Sequence, residues 1–268
     1  MTEPKVKTIR ALERGLDVLA ELQQARAASL NDLHRATGLP KATLLRVLLT
    51  LRRKGLIWQR LADSAYCPSH QIRLRRPELH DEDYLVEVAS PIMASLCADV
   101  QWPSVLAVPR LEHMEVIETN RPKSYFHHIV LGPIGFRINF LRSATGRAYL
   151  AFCDALERQA IIERLRNSSQ AGNYLAQKPN LVANLLQETQ TLGYGTRYPD
   201  YGGDYNQPRA SIDDGRDSIA VPIRVEGEPI AVINLTWIKT VTQKDDVVAR
   251  YLKRLKQAAK QIAASLAA

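Results

Sequence analysis

Residues 8–54 repeat apolar side chains at steps of three and four, and Gly38-Leu39-Pro40 interrupts that repeat. Such spacing places the apolar side chains on one side of an α-helix. Residues 8–24 therefore predict a first core helix whose inward-facing side chains are Ile9, Leu12, Leu16, Leu19 and Leu22. Ser29 ahead of Asp32 predicts the start of a short second helix, because a serine side chain can cap the first amide groups. Gly38 predicts its end, since glycine readily adopts the left-handed conformation.

The segment after Pro40 predicts a third helix over about residues 40–54 and then two short strands. Its apolar stripe consists of Leu44, Val47, Leu48 and Leu51. A different face carries Thr43, Arg46, Thr50 and Arg53. Residues 56–60 and 65–67, with a turn at Asp63-Ser64 between them, have the composition of a β-hairpin. Together these elements predict a winged helix-turn-helix.

The excess of positive over negative charge lies in the N-terminal part of the sequence. Residues 1–80 contain 15 Lys and Arg against 7 Asp and Glu, whereas residues 81–268 contain 21 of each. A localised group of cations is typical of a surface that neutralises phosphates. Because the charge coincides with the helix-turn-helix spacing, double-stranded DNA is the predicted partner, although a merely solvated bundle or a protein-docking module has the same spacing.

The third helix supplies most of the predicted DNA contacts, since its N-terminal turns would lie in the major groove. We predict a base contact for Arg46 and a phosphate contact for Arg60, which we place at the tip of the wing. The full predicted set is Lys41, Thr43, Arg46, Thr50, Arg53 and Arg60.

Several stretches resemble the IclR family of bacterial transcriptional regulators. In the N-terminal part these are Ser29-Leu30, Asp32-Leu33, Gly38–Thr43, Arg46, Leu48 and Leu51 before Gly55-Leu56. Further along they are Gly135–Arg137, Ser143–Ala151 and Ser218–Ile223. Trp102-Pro103, His127-His128 and Leu150–Cys153 are also similar to the branch that contains an activator of hydroxyphenylpropionate catabolism. The resemblance implies a ligand-responsive regulator that binds operator DNA as a homodimer or a dimer of dimers.

The remaining residues predict a connector and a second domain. Residues 69–80 are basic and interrupted by Pro77, and residues 82–99 have helical spacing with a kink or a restart at Pro91. We therefore divide the chain into a DNA-binding domain (1–77), a connecting helix (78–100) and an effector-binding and oligomerisation domain (101–268). The resemblance implies that the helix joins the domains and contributes to dimer contacts; the alternative is a core helix of the second domain.

The second domain mixes strands with helices, which gives an α+β fold class for the chain. Strands are predicted at 105–108, 114–118 and 125–131, and a hairpin at 218–224 and 230–237. Helices are predicted at 145–152, 155–166, 180–192 and 244–265. The resemblance names this domain GAF-like, with helices packed on an antiparallel sheet.

Polar side chains on apolar strands indicate where a small molecule would bind. Ser218, Asn234 and Thr236 fit a largely hydrophobic cavity with a few hydrogen-bonding groups. The family resemblance adds Ala144 and Thr145, at the start of a helix where free N–H groups and the helix dipole favour a carboxylate. Arg137 is a further candidate, as a bidentate cation or as a structural ion pair. Residues 194–205, dense in Tyr and Gly, predict either a lid over an aromatic effector or a turn-rich surface loop.

The sequence also bears on other classes of function. It contains no Walker loop, Gly-x-Ser-x-Gly or His-Glu-x-x-His, so we predict no catalytic residues, no cofactor and no enzyme activity. The spacing of Cys67, Cys97 and Cys153 predicts reduced thiols rather than disulfides or a metal site, and the adjacent His127 and His128 would point to opposite faces of a strand. The absence of a long apolar run predicts a cytoplasmic protein that does not enter a membrane.

Two other classes of function remain open on the sequence alone. One is an enzyme with an appended nucleic-acid-binding module, and the other is an architectural DNA-binding protein that responds to no ligand. The sequence does not identify the effector or the operator. It also leaves open activation against repression, dimer against tetramer, and contact with RNA polymerase.

Overall fold

The computed structural model describes residues 8–69, 82–120 and 132–267. Within them the chain divides into two compact units, residues 1–87 and 88–268. The predicted basic link from residue 70 onwards lies outside the described residues, as do the predicted strand at 125–131 and His127-His128.

The N-terminal unit is a winged helix-turn-helix, as predicted. Its elements are α1 (Arg10–Ala25), α2 (Leu30–Thr37), α3 (Lys41–Arg53), β1 (Ile57–Gln59) and β2 (Tyr66–Pro68). Strands β1 and β2 pair antiparallel. The Ser29 hydroxyl accepts from the Asp32 N–H, and the Asp32 carboxylate accepts from the Ser29 N–H, so a reciprocal capping box starts α2. Gly38 ends α2 at φ 67°, which turns the chain into α3.

The core of this unit corrects the prediction for the first helix. The buried side chains of α1 are Val18 and Leu22, whereas Ile9, Leu12 and Leu16 are 68%, 57% and 56% exposed. Successive residues of an α-helix are about 100° apart, so Val18 lies on nearly the opposite side of α1 from Leu16. The periodicity predicted an apolar stripe, but the buried stripe runs through Val18 and Leu22, and of the predicted side chains only Leu22 is fully buried.

The C-terminal unit is built on an antiparallel sheet. Its strands are β3 (Val105–Pro109), β4 (His113–Thr119), β5 (Arg137–Asn139), β6 (Gly195–Thr196), β7 (Arg216–Val225) and β8 (Glu228–Ile238), in the spatial order β5-β4-β3-β8-β7-β6. The predicted hairpin is confirmed, and its turn is tighter than predicted, because Val225 pairs with Glu228 and the two intervening residues have positive φ. Consecutive buried residues along β7 and β8 show that helices or loops cover both faces there.

Helices complete the α+β architecture. They are α4 (Glu82–Val100), α5 (Ala144–Phe152), α6 (Ala155–Asn167), α7 (Pro179–Leu192) and α8 (Lys244–Leu266), with a 3₁₀ helix at Ala171–Gln177. Helix α4 is continuous from Glu82 to Val100, so the chain does not begin a new helix at Pro91. Helix α5 contacts the β7–β8 hairpin and is buried along nearly its whole length. The start of α5 therefore lies inside the unit, beside the central strands.

Candidate DNA-binding surface and effector cavity

Helix α3 presents a cationic face. Leu44, Leu48 and Leu51 are buried in the core of the N-terminal unit, which fixes the orientation of the helix. The predicted residues Lys41, Arg46, Thr50 and Arg53 are exposed, and Thr43 is half-buried. The Thr50 hydroxyl donates to the Arg46 carbonyl at 2.9 Å, so its oxygen lone pairs, rather than its proton, remain for another partner.

Arg60 differs from the other predicted DNA contacts. Its guanidinium forms a bidentate pair with Asp63, with Nε–Oδ1 and Nη2–Oδ2 distances of 3.0 and 2.5 Å. The Arg60 hydrogen bond, with a further one from the Ala65 N–H, lowers the pKa of the Asp63 carboxyl. Arg60 thus closes the β1–β2 turn, and Asp63 offsets its charge locally. The phosphate contact predicted for Arg60 at the tip of the wing stays a prediction.

The N-terminus of α5 is held by its own cap. The Ser143 hydroxyl accepts from the Gly146 N–H at 2.8 Å, and the Ser143 carbonyl accepts from the Arg147 N–H. A Cβ at Gly146 would lie 2.3 Å from the Phe140 backbone, so only glycine allows this close packing. Among the described residues, no acceptor pairs with the N–H groups of Ala144 and Thr145, although both residues are buried.

A cavity of about 360 Å³ opens beside this helix start. Its apolar lining includes Val105, Val116, Phe136, Ile138, Tyr201 and Ile212. Its polar lining includes Ser143, Thr145, Arg197, Asp204, Asp214, Arg216, Ser218, Asn234 and Thr236. Small-molecule sites usually combine apolar walls with polar groups held in fixed positions, and this cavity has both.

The predicted polar residues of β7 and β8 converge on this cavity. Ser218 pairs with Thr236 across the hairpin, and Asn234 lies two residues from Thr236, on the same face. Asn234 is held in place, because its Oδ1 accepts from the Val105 N–H at 2.8 Å and its Nδ2 lies 3.5 Å from the Thr145 Oγ1. The Thr236 hydroxyl has no hydrogen-bond partner within the described part of the chain.

Arg197 and Asp214 place an ion pair in the cavity wall. Arg197 Nη1 lies 2.8 and 2.9 Å from the two Asp214 carboxylate oxygens, and its Nε donates to the Ser218 hydroxyl at 3.1 Å. The same guanidinium lies 5.3 Å from the ring centroid of Tyr201. Burial raises the pKa of the Tyr201 phenol to about 12, so that wall group stays neutral.

Two protein-family models together match most of the chain. The model of the IclR helix-turn-helix domain matches residues 11–60, and the model of the bacterial transcriptional regulator IclR C-terminal domain matches residues 79–264. The chain belongs to the IclR family. The HTH-type transcriptional regulator TsaQ1/TsaQ2 of Comamonas testosteroni is 25% identical to this IclR regulator over 191 residues, which are 69% of this chain and 66% of that one.

Solved structures share the fold of this IclR regulator. An IclR family transcriptional regulator from Brucella abortus is 22% identical and superimposes with a TM-score of 0.53, covering 97% of this chain and 93% of that one. An IclR homologue from Microbacterium hydrocarbonoxydans, complexed with 4-hydroxybenzoate, is 23% identical with a TM-score of 0.51, covering 96% of this chain and 99% of that one.

Two of the predicted effector residues of the IclR regulator do not line the cavity. Ala144 is the first residue of α5 and is fully buried. Arg137 lies exposed at the start of β5, with its guanidinium 4.9 Å from the ring centroid of Tyr205. The position of Arg137 over that ring accounts for the side chain without a ligand. Thr145, Ser218, Asn234 and Thr236 do line the cavity.

Sequence reasoning missed the arginine that holds the cavity wall together. Arg142 is fully buried, and its guanidinium donates to the carbonyls of Asp200, Tyr205 and Gln207 at 3.1, 3.3 and 2.7 Å. These bonds hold the C-terminal half of the Tyr- and Gly-rich segment, whose residues 201–204 line the cavity. The sequence shows only that an arginine directly precedes the Ser143 cap. Its three acceptors lie about 60 residues further along the chain, so local patterns could not reveal its role.

The described residues of the IclR regulator were also searched for membrane-spanning helices and for clusters of metal ligands. None of their helices is long and apolar enough to cross a bilayer. They also hold no group of three or more His, Cys, Asp or Glu side chains arranged to bind a metal ion.

Proposed function

We propose that this chain is a ligand-responsive transcriptional regulator that places α3 in the major groove of operator DNA and binds a small aromatic carboxylate in the cavity beside α5. The observation that carries the proposal is the exposed cationic face of α3 within a matched IclR helix-turn-helix domain. A bacterial protein that contacts chromosomal DNA works in the cytoplasm.

On the DNA side, the roles follow from side-chain chemistry. Arg46 lies in the second turn of α3, where its guanidinium can form two hydrogen bonds to a guanine edge. Lys41 and Arg53 lie at the two ends of the helix, where cations reach the phosphates on either side of the groove. Thr43 and Thr50 add hydroxyl groups, and Arg60 gives up part of its pairing with Asp63 if it binds a phosphate.

On the effector side, the N–H of Thr145, which has no acceptor among the described residues, suits a carboxylate, and the dipole of α5 adds to the attraction. The apolar walls suit a ring, and the volume of the cavity fits a one-ring compound. Thr236 and Ser218 can bind polar substituents on that ring. The homologue complexed with 4-hydroxybenzoate supports this class of ligand.

A ligand screen tests the effector half of the proposal. Thermal unfolding of the full chain is followed with 4-hydroxybenzoate, hydroxyphenylpropionate, benzoate and an aliphatic acid of similar size. A ligand that binds only the folded protein raises its apparent stability. We expect the aromatic acids to raise the melting temperature and the aliphatic acid to leave it unchanged. Equal responses to all four, or no response, would reject an aromatic effector.

Thr236→Val then tests the cavity itself. The substitution keeps the shape of the side chain and removes the hydroxyl without breaking a hydrogen bond within the described structure. We expect about a five- to tenfold weaker affinity for the best hydroxylated ligand, from the loss of one hydrogen bond worth about 1 to 1.4 kcal/mol. Thr191→Val, on the exposed surface of α7, is the matched control. Calorimetric titration measures both variants, and unchanged binding by Thr236→Val would remove Thr236 from the site.

The protein acts as a homodimer in this proposal, and two such dimers can form a tetramer. Support comes from the exposed Ile9, Leu12 and Leu16, since apolar side chains clustered on one surface mark an interface. The effector would change the spacing of the two α3 helices or their contacts with RNA polymerase. Coupling requires that the effector bind one of these states more tightly than the other.

We infer further that the chain catalyses no reaction. The free Cys97 and Cys153 are buried, and burial raises the pKa of each to about 11, which disfavours the thiolate that a nucleophile needs. The cavity walls instead carry groups that bind and orient a ligand. The architectural alternative predicts no heat of binding with any acid in the same calorimetric titration.

A further inference from the structure

Two leucines are exposed on the helix that carries the cations. Leu45 is 48% and Leu49 44% exposed, and neither belongs to the core of the N-terminal unit. Side chains four residues apart lie next to one another on a helix surface. Lys41, Leu45, Leu49 and Arg53 therefore form one continuous ridge on α3, with a cation at each end and two leucines between.

The surroundings of the leucines indicate what covers them. Arg46 precedes Leu49 by three residues and adjoins it, whereas Lys41 precedes Leu45 by four residues and adjoins that leucine. Helix α3 contains no acidic residue. A protein partner docking on Leu45 and Leu49 would have to bring carboxylates for these cations or bury them unpaired at a large cost.

Duplex DNA meets both requirements of this ridge. Its phosphates pair with the cations, and its major groove exposes the C5-methyl group of thymine, which apolar side chains contact. We propose that Leu45 and Leu49 read thymine methyl groups in the operator and so determine part of its sequence. The inference rests on the proposed function of α3. Leu45 shares the second turn with Arg46 and is the main reader; Leu49 reads one turn further along.

Replacing thymine by deoxyuridine tests this directly, because it removes only the methyl group. The operator is first selected with the full-length protein from a pool of random duplexes. Each thymine of the selected site is then replaced in turn, and affinities are measured for the wild type, Leu45→Ala, Leu49→Ala and Leu111→Ala. Leu111 is an exposed leucine of the C-terminal unit and serves as the matched control.

We expect one or two positions per half-site where deoxyuridine weakens the wild type about fourfold, the effect of one buried CH₂-sized group. At those positions Leu45→Ala or Leu49→Ala should bind both duplexes equally, while Leu111→Ala keeps the discrimination. Circular dichroism melting should show that the leucine variants remain folded, since both side chains are exposed.

Three results would overturn the inference. One is a selected operator at which no thymine shows a methyl effect. Another is a methyl effect that Leu45→Ala and Leu49→Ala both retain. The third is a change in oligomeric mass for these variants without a change in thymine preference, which would assign the leucines to a subunit interface. Failure to select any duplex would reject DNA binding itself, and the inference with it; the first three results leave DNA binding intact.

Discussion

At the scale of single residues, His113 shows how the fold adjusts a titratable group. Burial and then the cation of Arg137 lower the pKa of the imidazole, although the Glu115 carboxylate, 3.8 Å from Nε2, partly opposes this. The ring Nδ1 has no hydrogen-bond partner within the described residues. The folded protein therefore favours neutral His113, whereas the unfolded chain binds the proton near pH 6.5.

This difference predicts how stability depends on pH. A histidine whose pKa is depressed by folding contributes stability above its unfolded pKa, and that contribution is lost as the pH falls. We expect the unfolding free energy to decrease from pH 7.5 to 5.5, and His113→Gln to flatten that decrease. Glu115→Gln should steepen it, because that carboxylate raises the pKa of His113. Urea denaturation followed by circular dichroism measures all three proteins, and an identical pH profile for His113→Gln would contradict the assignment.

At the scale of elements, periodicity and caps predicted most of the fold. Ser29, Asp32 and Gly38 delimit α2 through local hydrogen bonds and backbone conformation. Because these interactions involve only neighbouring residues, both ends of the helix could be predicted from the sequence. Strands β5 and β6 have only two or three residues, too few for a period, and they form because the neighbouring strands pair with them. The same limit explains the missed cavity residues. Arg197 meets Asp214, and Arg142 meets Asp200, only after the fold brings distant segments together.

Helix α1 provides the prediction at this scale. Its exposed Leu12 and Leu16 share one face, being four residues apart, and we propose that a second copy of the chain covers them. Leu12→Lys with Leu16→Lys should convert the dimer to a monomer in light scattering, because two buried charges of like sign oppose association. Circular dichroism should remain unchanged, since neither side chain is in the core. A double variant that remains dimeric would place the interface elsewhere. Arg14→Leu, which adds no charge on the exposed surface of α1, is the control.

At the scale of the whole molecule, the cationic segment and the cavity lie in different parts of the chain. The excess of cations lies in residues 1–80, and the rest of the chain is neutral. The cavity, by contrast, lies within the C-terminal unit, and every residue that lines it comes from position 105 or later. We propose that the cavity binds a small anion in a different unit from the cationic face of α3, so that the ligand does not compete with DNA phosphates for the same groups. This division predicts that DNA affinity depends strongly on salt and that effector affinity depends on it much less.

Measuring DNA affinity at several salt concentrations tests this prediction. For each phosphate neutralised, the slope of log affinity against log salt changes by about −0.9. Arg53→Gln should reduce the magnitude of the slope by about one for each α3 that is engaged and weaken all duplexes alike, as expected of a phosphate contact. Arg46→Ala should instead reduce the ratio of operator to random-duplex affinity by about tenfold or more, as expected of a base contact. Fluorescence anisotropy at several salt concentrations distinguishes the two. If Arg46→Ala changed the slope and left the ratio intact, Arg46 would be a phosphate contact, and the reading of bases would pass to other residues of α3.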